Sequence, residues 1–124
     1  MWIGLVVVLG LSVNRTYAFN PDQLKQLLTT NQCPGCDLSN ASLSGANLFK
    51  ANLTGANLTG AYLSDANLAG ANLTKANLTG AKLFSAILVA ANLTGAVFTD
   101  ARLSMALWAD GKWCADGSVG GCEK

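Results

Sequence analysis

The sequence predicts an all-β solenoid, a chain wound into short coils around a narrow core. Three observations predict it. A pentapeptide recurs from Cys36 to Asp110, its two apolar residues fall at alternate spacings of two and three, and Gly recurs in its last place. An apolar pair on a period of five suits neither a helix at 3.6 nor a flat strand at two, and it fits a chain that turns a corner every five residues. Self-similarity at a short period marks an array in which each unit touches only its neighbours. At 124 residues there is room for one domain.

The chain opens on "MWIGLVVVLGLSV", an apolar run followed by "NRTYA", with Thr16 and Ala18 at the spacing of a signal-peptidase site. Residues 1–18 read as a signal peptide. The apolar run falls short of the ~20 residues of a spanning helix, so no stable membrane anchor is expected after cleavage. Removing it leaves seven basic and seven acidic residues. A neutral chain without a basic stripe is not expected to bind nucleic acid, which requires clustered cations to displace phosphate counterions.

Residues 19–35 form the N-terminal helical cap and linker. In "FNPDQLKQLLTTN", Asn20 suits an N-cap, Pro21 the first helical position and Asp22 the positive end of the dipole. Leu24, Leu27 and Leu28 then share a face, which must lie on the open end of the array because so short a helix is marginal alone.

Residues 36–110 hold fifteen repeats. Leu occupies every central position except Phe98 and Trp108, and Ala stands two places before it except at Cys36. One large and one small inward residue per five fill a narrow tube. Gly45, Gly55, Gly60, Gly70, Gly80 and Gly95 close their repeats where a type II turn needs positive φ. Asn40 tolerates that geometry and Lys50, Lys75, Ala90 and Met105 do not favour it, so mixed turn types are expected.

This run of Ala-(Asn/Asp)-Leu-X-X units resembles the pentapeptide repeat family. The resemblance implies a right-handed quadrilateral β-helix with four repeats per coil, hence about four coils and a rod ~18 Å tall at the strand spacing. With four repeats per coil residues twenty apart stack, which makes core ladders of Leu38, Leu58, Leu78 and Phe98, and of Leu43, Leu63, Leu83 and Leu103. "CPGCDLSNASLSGANL" and "DGKWCADGSVGGC" are similar to the flanks of exported or thylakoid-lumen members of cyanobacteria and plants. The rod has two ends that would pair with other copies unless covered. The helix covers one; Trp108, Trp113 and the C-terminal cap loop, residues 111–124, cover the other.

Four cysteines in an exported chain suggest disulfides. Cys33 and Cys36 lie near one end of such a rod and Cys114 and Cys122 near the other, so the local pairs are favoured by the reach of a disulfide. Cys114–Cys122 staples the C-terminal cap. Cys33–Cys36 is either a clasp or, through its C-x-x-C spacing, a thiol-disulfide redox centre, although no βαβ context surrounds it; the alternative to both is that Cys36, on an inward alanine site, is a buried thiol. The chain has no His, and its carboxylates are scattered. No catalytic group, metal ligand or cofactor is therefore assigned, and an enzyme is not expected. "NLT" at Asn52, Asn57, Asn72, Asn77 and Asn92 matches a glycosylation acceptor, but the repeat itself generates it.

Function is left to the outer surface. Asn and Thr columns are expected to bond along the stack. One face instead carries Phe49, Ala69, Ile87, Val89, Ala90, Leu107 and Ala109, extended by Phe84. Such a patch marks a contact site, the alternatives being that the caps fold over it or that it has no role. The leading expectation is an exported interaction or scaffold module in a periplasm or thylakoid lumen, bacterial or plastid, with an unknown protein partner or a second copy. The alternatives are the redox pair and recognition of an ordered, ice-like surface by Thr ladders. DNA mimicry, known among members of the family, is disfavoured by the neutral charge.

Overall fold

The structure, a computed structural model, describes residues 19–124, and the expected signal peptide lies outside the described residues. Helix α1 spans Pro21–Thr30. Asn20 Oδ1 accepts from Asp22 N at 2.9 Å and Gln23 N at 3.3 Å, and Asn31, at φ 57°, ends the helix with its N–H on Leu27 O. Leu27 is fully buried and Leu24 packs partly against the core. Leu28 is 54% exposed and does not help to cover the end, contrary to the sequence expectation. Residues 27 and 28 are 100° apart on a helix, and only one of them can point at so narrow a tube.

From residue 32 onward every parallel β-bridge joins residue i to i+20, beginning at Gln32↔Asn52 and ending at Ile87↔Leu107. Four pentapeptides therefore make one coil. The ladder begins one repeat earlier than the sequence pattern, at 31–35, where Cys33 takes the place of Leu. We number the faces in chain order. Face 1 comprises 31–35, 51–55, 71–75 and 91–95; face 2, 36–40, 56–60, 76–80 and 96–100; face 3, 41–45, 61–65, 81–85 and 101–105; face 4, 46–50, 66–70, 86–90 and 106–110.

The central Leu residues from Leu38 to Leu88 are buried, with Ala41, Ala51 and their successors closing the corners between them. Between coils the bonding is regular: Leu53 N donates to Asn72 O and Gly55 N to Thr74 O, each at 2.8 Å. At each corner a turn closes, as in Ala56 N to Leu53 O at 3.0 Å.

The turns are not mixed. Every fifth residue from Gly35 to Met105 has positive φ, including Lys50 at 57°, Ala90 at 61° and Met105 at 62°. The coil register overrides local preference, because a corner of different geometry would displace every strand after it. The cost to a side chain there is ~1 kcal/mol or more. Ala90→Gly is accordingly expected to raise stability by roughly 0.5–1 kcal/mol in urea titration, the relief of strain exceeding the added freedom of the unfolded glycine.

Both ends are finished with hydrogen bonds. At the N-terminal end α1 imitates a strand: Asn20 N donates to Asp37 O, Gln23 Oε1 accepts from Asp37 N at 2.7 Å, Gln26 Nε2 donates to Gln32 O at 2.7 Å, and Thr30 Oγ1 accepts from Gln32 N at 3.1 Å. At the other end the chain reverses after Asp110. Lys112–Cys114 runs antiparallel beneath face 4, and Ser118–Gly120 antiparallel beneath face 3.

Two disulfides are present, Cys33–Cys36 and Cys114–Cys122. The second closes a sequence separation of eight residues. Chain-entropy arguments assign such a loop about 2–3 kcal/mol. With Cys114→Ser and Cys122→Ser combined, the amides of Leu103 and Gly120, which bond between the last coil and the cap, should exchange at least tenfold faster, while those of the middle coils stay as they were.

Candidate interaction surface

The Asn of the repeat has a defined local task. Oδ1 of Asn52, Asn57, Asn72, Asn77 and Asn92 accepts the backbone N–H two residues on, at 3.0–3.2 Å. Four of these Asn residues also accept from the following Thr hydroxyl, as Asn57 does from Thr59 at 2.6 Å. These bonds run within repeats, not between coils as the sequence reading expected. Asn completes the corner that its own backbone leaves open, an Asx turn.

Faces 1 and 2 keep this device, with Val97 the exception in their lower half. On face 3 the same position holds Ser42, Tyr62, Lys82 and Arg102; on face 4 it holds Asn47 and Asn67, then Ile87 and Leu107. Replacing Asn forgoes a hydrogen bond worth about 1 kcal/mol and exposes apolar carbon instead. A departure from the structural consensus without a gain in folding is what a functional surface looks like.

The exposed large apolar side chains follow the same division. Tyr62, Phe84, Met105 and Val119 belong to face 3 or its cap strand, and Phe49, Ile87 and Trp113 to face 4 or its cap strand; among the described residues only Leu28 and Val97 lie elsewhere. Trp113, expected to cover the end, is 63% exposed and continues the Ile87–Leu107 column outward. The end is closed by Trp108, whose ring meets Phe98 at 5.1 Å, edge to face. Ala69 and Val89 are half-buried members of the patch, and Ala69 separates Phe49 from the rest.

Charge is sparse but placed. Lys82 and Arg102 are bridged neighbours on face 3, so two cations stack at strand spacing, a mildly repulsive arrangement. Lys82 Nζ lies 4.5 Å from the Tyr62 ring centroid, and Lys50 Nζ 5.3 Å from that of Phe49. In the cap, the Lys112 backbone N–H, and then Lys124 at 3.2 Å, hold the Asp110 carboxyl below its ordinary range. What this contributes is present above the unfolded carboxylate pKa and is lost as pH falls through the lower folded value.

The profile described as Pentapeptide repeats matches eight copies, over residues 33–64, 51–88 and 76–106. The chain belongs to the pentapeptide repeat family. The right-handed β-helix of that family is thereby its fold. Among solved structures it is 42% identical to HetL, a pentapeptide repeat protein involved in heterocyst differentiation regulation in Nostoc sp. strain PCC 7120, with 66% of this chain covered and a TM-score of 0.42. The match spans only 40% of HetL's own length. A second Nostoc pentapeptide repeat protein is 32% identical over 69% of this chain and 82% of its own, with a TM-score of 0.42. A pentapeptide repeat protein of the Arabidopsis thaliana thylakoid lumen is 24% identical over 78% of this chain and 88% of its own, with a TM-score of 0.27. No curated protein matches.

In this pentapeptide repeat protein, Cys33 and Cys36 occupy the Leu and Ala places of the core and are 0% and 3% exposed. Their sulfurs fill the top of the tube. Among the described residues no three His, Cys, Asp or Glu side chains cluster as metal ligands, and no helix is long and apolar enough to cross a membrane.

Proposed function

We propose that this pentapeptide repeat protein is an exported, non-catalytic interaction module, and that its partner surface is the edge where faces 3 and 4 meet. The observation that carries the reading is the gathering of seven exposed large apolar side chains on those two faces and their cap strands, where Asn has been given up. Export to a periplasm or thylakoid lumen is supported by the two disulfides and the apolar leader.

Size constrains the partner. One face is about 10 Å wide and four strand layers tall, roughly 200 Å² in projection, well short of the ~800 Å² per partner of a standard interface. Two faces meeting at an edge double that area. A second copy laid flat on one face is therefore a poor fit, and a concave partner protein that wraps the edge is the better one.

Burial of Cys33 and Cys36 counts against the redox reading, since an exchanging thiolate must reach a disulfide in solution. Four of the six Thr hydroxyls on faces 1 and 2, those of Thr54, Thr59, Thr79 and Thr94, donate to the Asn of their own repeat, which counts against recognition of an ordered water lattice. The neutral charge of the mature chain counts against DNA mimicry.

Photoreactive side chains test the reading. Placed at Met105, on the edge, one should yield a defined adduct in host extract that is absent when it is placed at Thr79 on face 2. Equal adducts from both positions, or adducts from Thr79 alone, would remove this surface from consideration.

A further inference from the structure

The C-terminal end carries two Asp-Gly pairs, Asp110–Gly111 and Asp116–Gly117, and the fold treats them differently. In such a pair the backbone nitrogen can reach the preceding carboxyl, because glycine has no Cβ to hold it away. Asp110 is restrained on every side. One carboxylate oxygen accepts from Lys112 N at 3.0 Å, the other meets Lys124 Nζ at 3.2 Å, and Gly111 N donates to Trp108 O at 2.9 Å. The Lys112 N–H, and then Lys124, also hold this carboxyl below its ordinary range, which depletes the acid form that could lose water.

Asp116 has none of these restraints. Asp116 and Gly117 are exposed, and the Asp116 carboxyl makes no hydrogen bond or ion pair among the described residues. Residues 115–118 form a turn closed by Ser118 N on Ala115 O at 3.2 Å, with Gly117 in its third place at φ 88°, the geometry of type II. Such a turn converts to type I when its central peptide plane, here Asp116–Gly117, flips over. The closing bond survives the flip, and glycine alone crosses freely from positive to negative φ. Nothing lies within 4 Å of the place a Gly117 Cβ would take. The bond given up is Gly117 N to Ser104 Oγ at 2.8 Å, whose hydroxyl can rotate away. On its way over, the Gly117 nitrogen passes the Asp116 Cγ.

We propose that Asp116 is a site of spontaneous isomerisation to isoaspartate, and that this modification unfastens the cap strand Ser118–Gly120. The Gly117 nitrogen gives up its proton and bonds to Asp116 Cγ; the carboxyl hydroxyl leaves as water, and a succinimide closes. Water then opens the ring. Opening at Cγ restores aspartate, whereas opening at the original backbone carbonyl leaves Gly117 joined through the side chain. One water leaves and one returns, so no oxidant, reductant or second protein is required.

The β-linked backbone is longer by one carbon just ahead of Ser118, which is fully buried. The Ser118 hydroxyl donates to Ala115 O at 2.8 Å and accepts from Glu123 N at 3.1 Å, and its carbonyl accepts from Leu103 N at 2.9 Å. An anchor fixed at three points has no room for the added atom, so the Leu103 bond and the bond from Gly120 N to Ala101 O are released. The modification needs no partner and stands or falls separately from the interaction surface.

The test incubates the disulfide-bonded chain in heavy-oxygen water near neutral pH. A reduced chain unfolded in guanidinium chloride runs beside it until both of its Asp-Gly pairs carry label. Each ring opening fixes one heavy oxygen, which mass spectrometry locates in peptides digested in ordinary water. In the folded chain, Asp116 should carry at least tenfold more label than Asp110, with the β-linked product identified there by electron-transfer fragmentation. The amides of Leu103 and Gly120 should exchange at least tenfold faster in the β-linked fraction, while those of Leu73 and Leu78 stay constant. Asp116→Glu, too long to close a succinimide, should keep its cap amides unchanged throughout. A folded chain without label at Asp116, or with equal label at the two sites, would overturn the proposal. So would a β-linked chain whose Leu103 and Gly120 stay protected, or cap amides that quicken equally in Asp116→Glu.

Discussion

Leu78→Asp will split the array into two parts that unfold separately. Leu78 is fully buried in the column between Leu58 above and Phe98 below. Truncation to Ala at such a site costs about 2–5 kcal/mol, and a carboxylate without a partner costs more, against a total of ~5–15 kcal/mol for a domain. In a globular core that would abolish folding. Here each coil touches only its neighbours, so α1 and the upper coils keep their own contacts. Urea unfolding should show fluorescence of Trp108 and Trp113 changing at much lower denaturant than the far-ultraviolet signal of the upper coils. One coincident transition, shifted slightly, would mean that Leu78 does not hold the column together.

The largest functional effect is expected from Phe84→Ser, Ile87→Asn and Leu107→Asn combined. All three side chains lie on faces 3 and 4; Ile87 and Leu107 stand where the repeat otherwise carries Asn, so the two Asn substitutions restore its consensus. Stability should hold or rise slightly, since each new Asn can accept the corner N–H as Asn67 does from Ala69. Binding of the partner found by cross-linking at Met105 should fall at least a hundredfold, because interface energy concentrates in a few buried apolar anchors. Unchanged affinity in a folded variant would show that these side chains are not its anchors. Unfolding would show that they serve the coil instead.

The array was legible because one Leu and one Ala per five residues are all that its core requires, and the sequence repeats them. The repeat at 31–35 was hidden because "NQCPG" keeps the turn but replaces Leu by Cys33 and has no Ala before it. Turn geometry was misread because residue preference was weighed locally, whereas Ala90 and Met105 are held at positive φ by the strands on either side. The patch was half legible. Ile87 and Leu107 stand out against the consensus, and Phe84 was noticed as a neighbour. Tyr62 and Met105 sit at positions where polar residues were counted as solvent-facing, and only the coil register shows that both belong to face 3, Met105 at its corner with face 4. Trp113 was assigned to covering the end by its size and place in the chain; the antiparallel return of Lys112–Cys114 turns it outward instead.

The twenty-residue register also limits how such a chain can change by insertion and deletion. Removing twenty residues takes out one storey and leaves every later side chain on its original wall. Removing five keeps the core intact but rotates everything downstream by a quarter turn, carrying Ile87 and Leu107 from face 4 round to face 3, while Phe49 stays where it was. A gene of this kind can lengthen or shorten its rod in whole coils without moving the apolar side chains of faces 3 and 4 to another wall. A single-repeat slip would preserve the fold and break up the patch, so length in this chain is inherited in steps of four repeats wherever the patch is under selection.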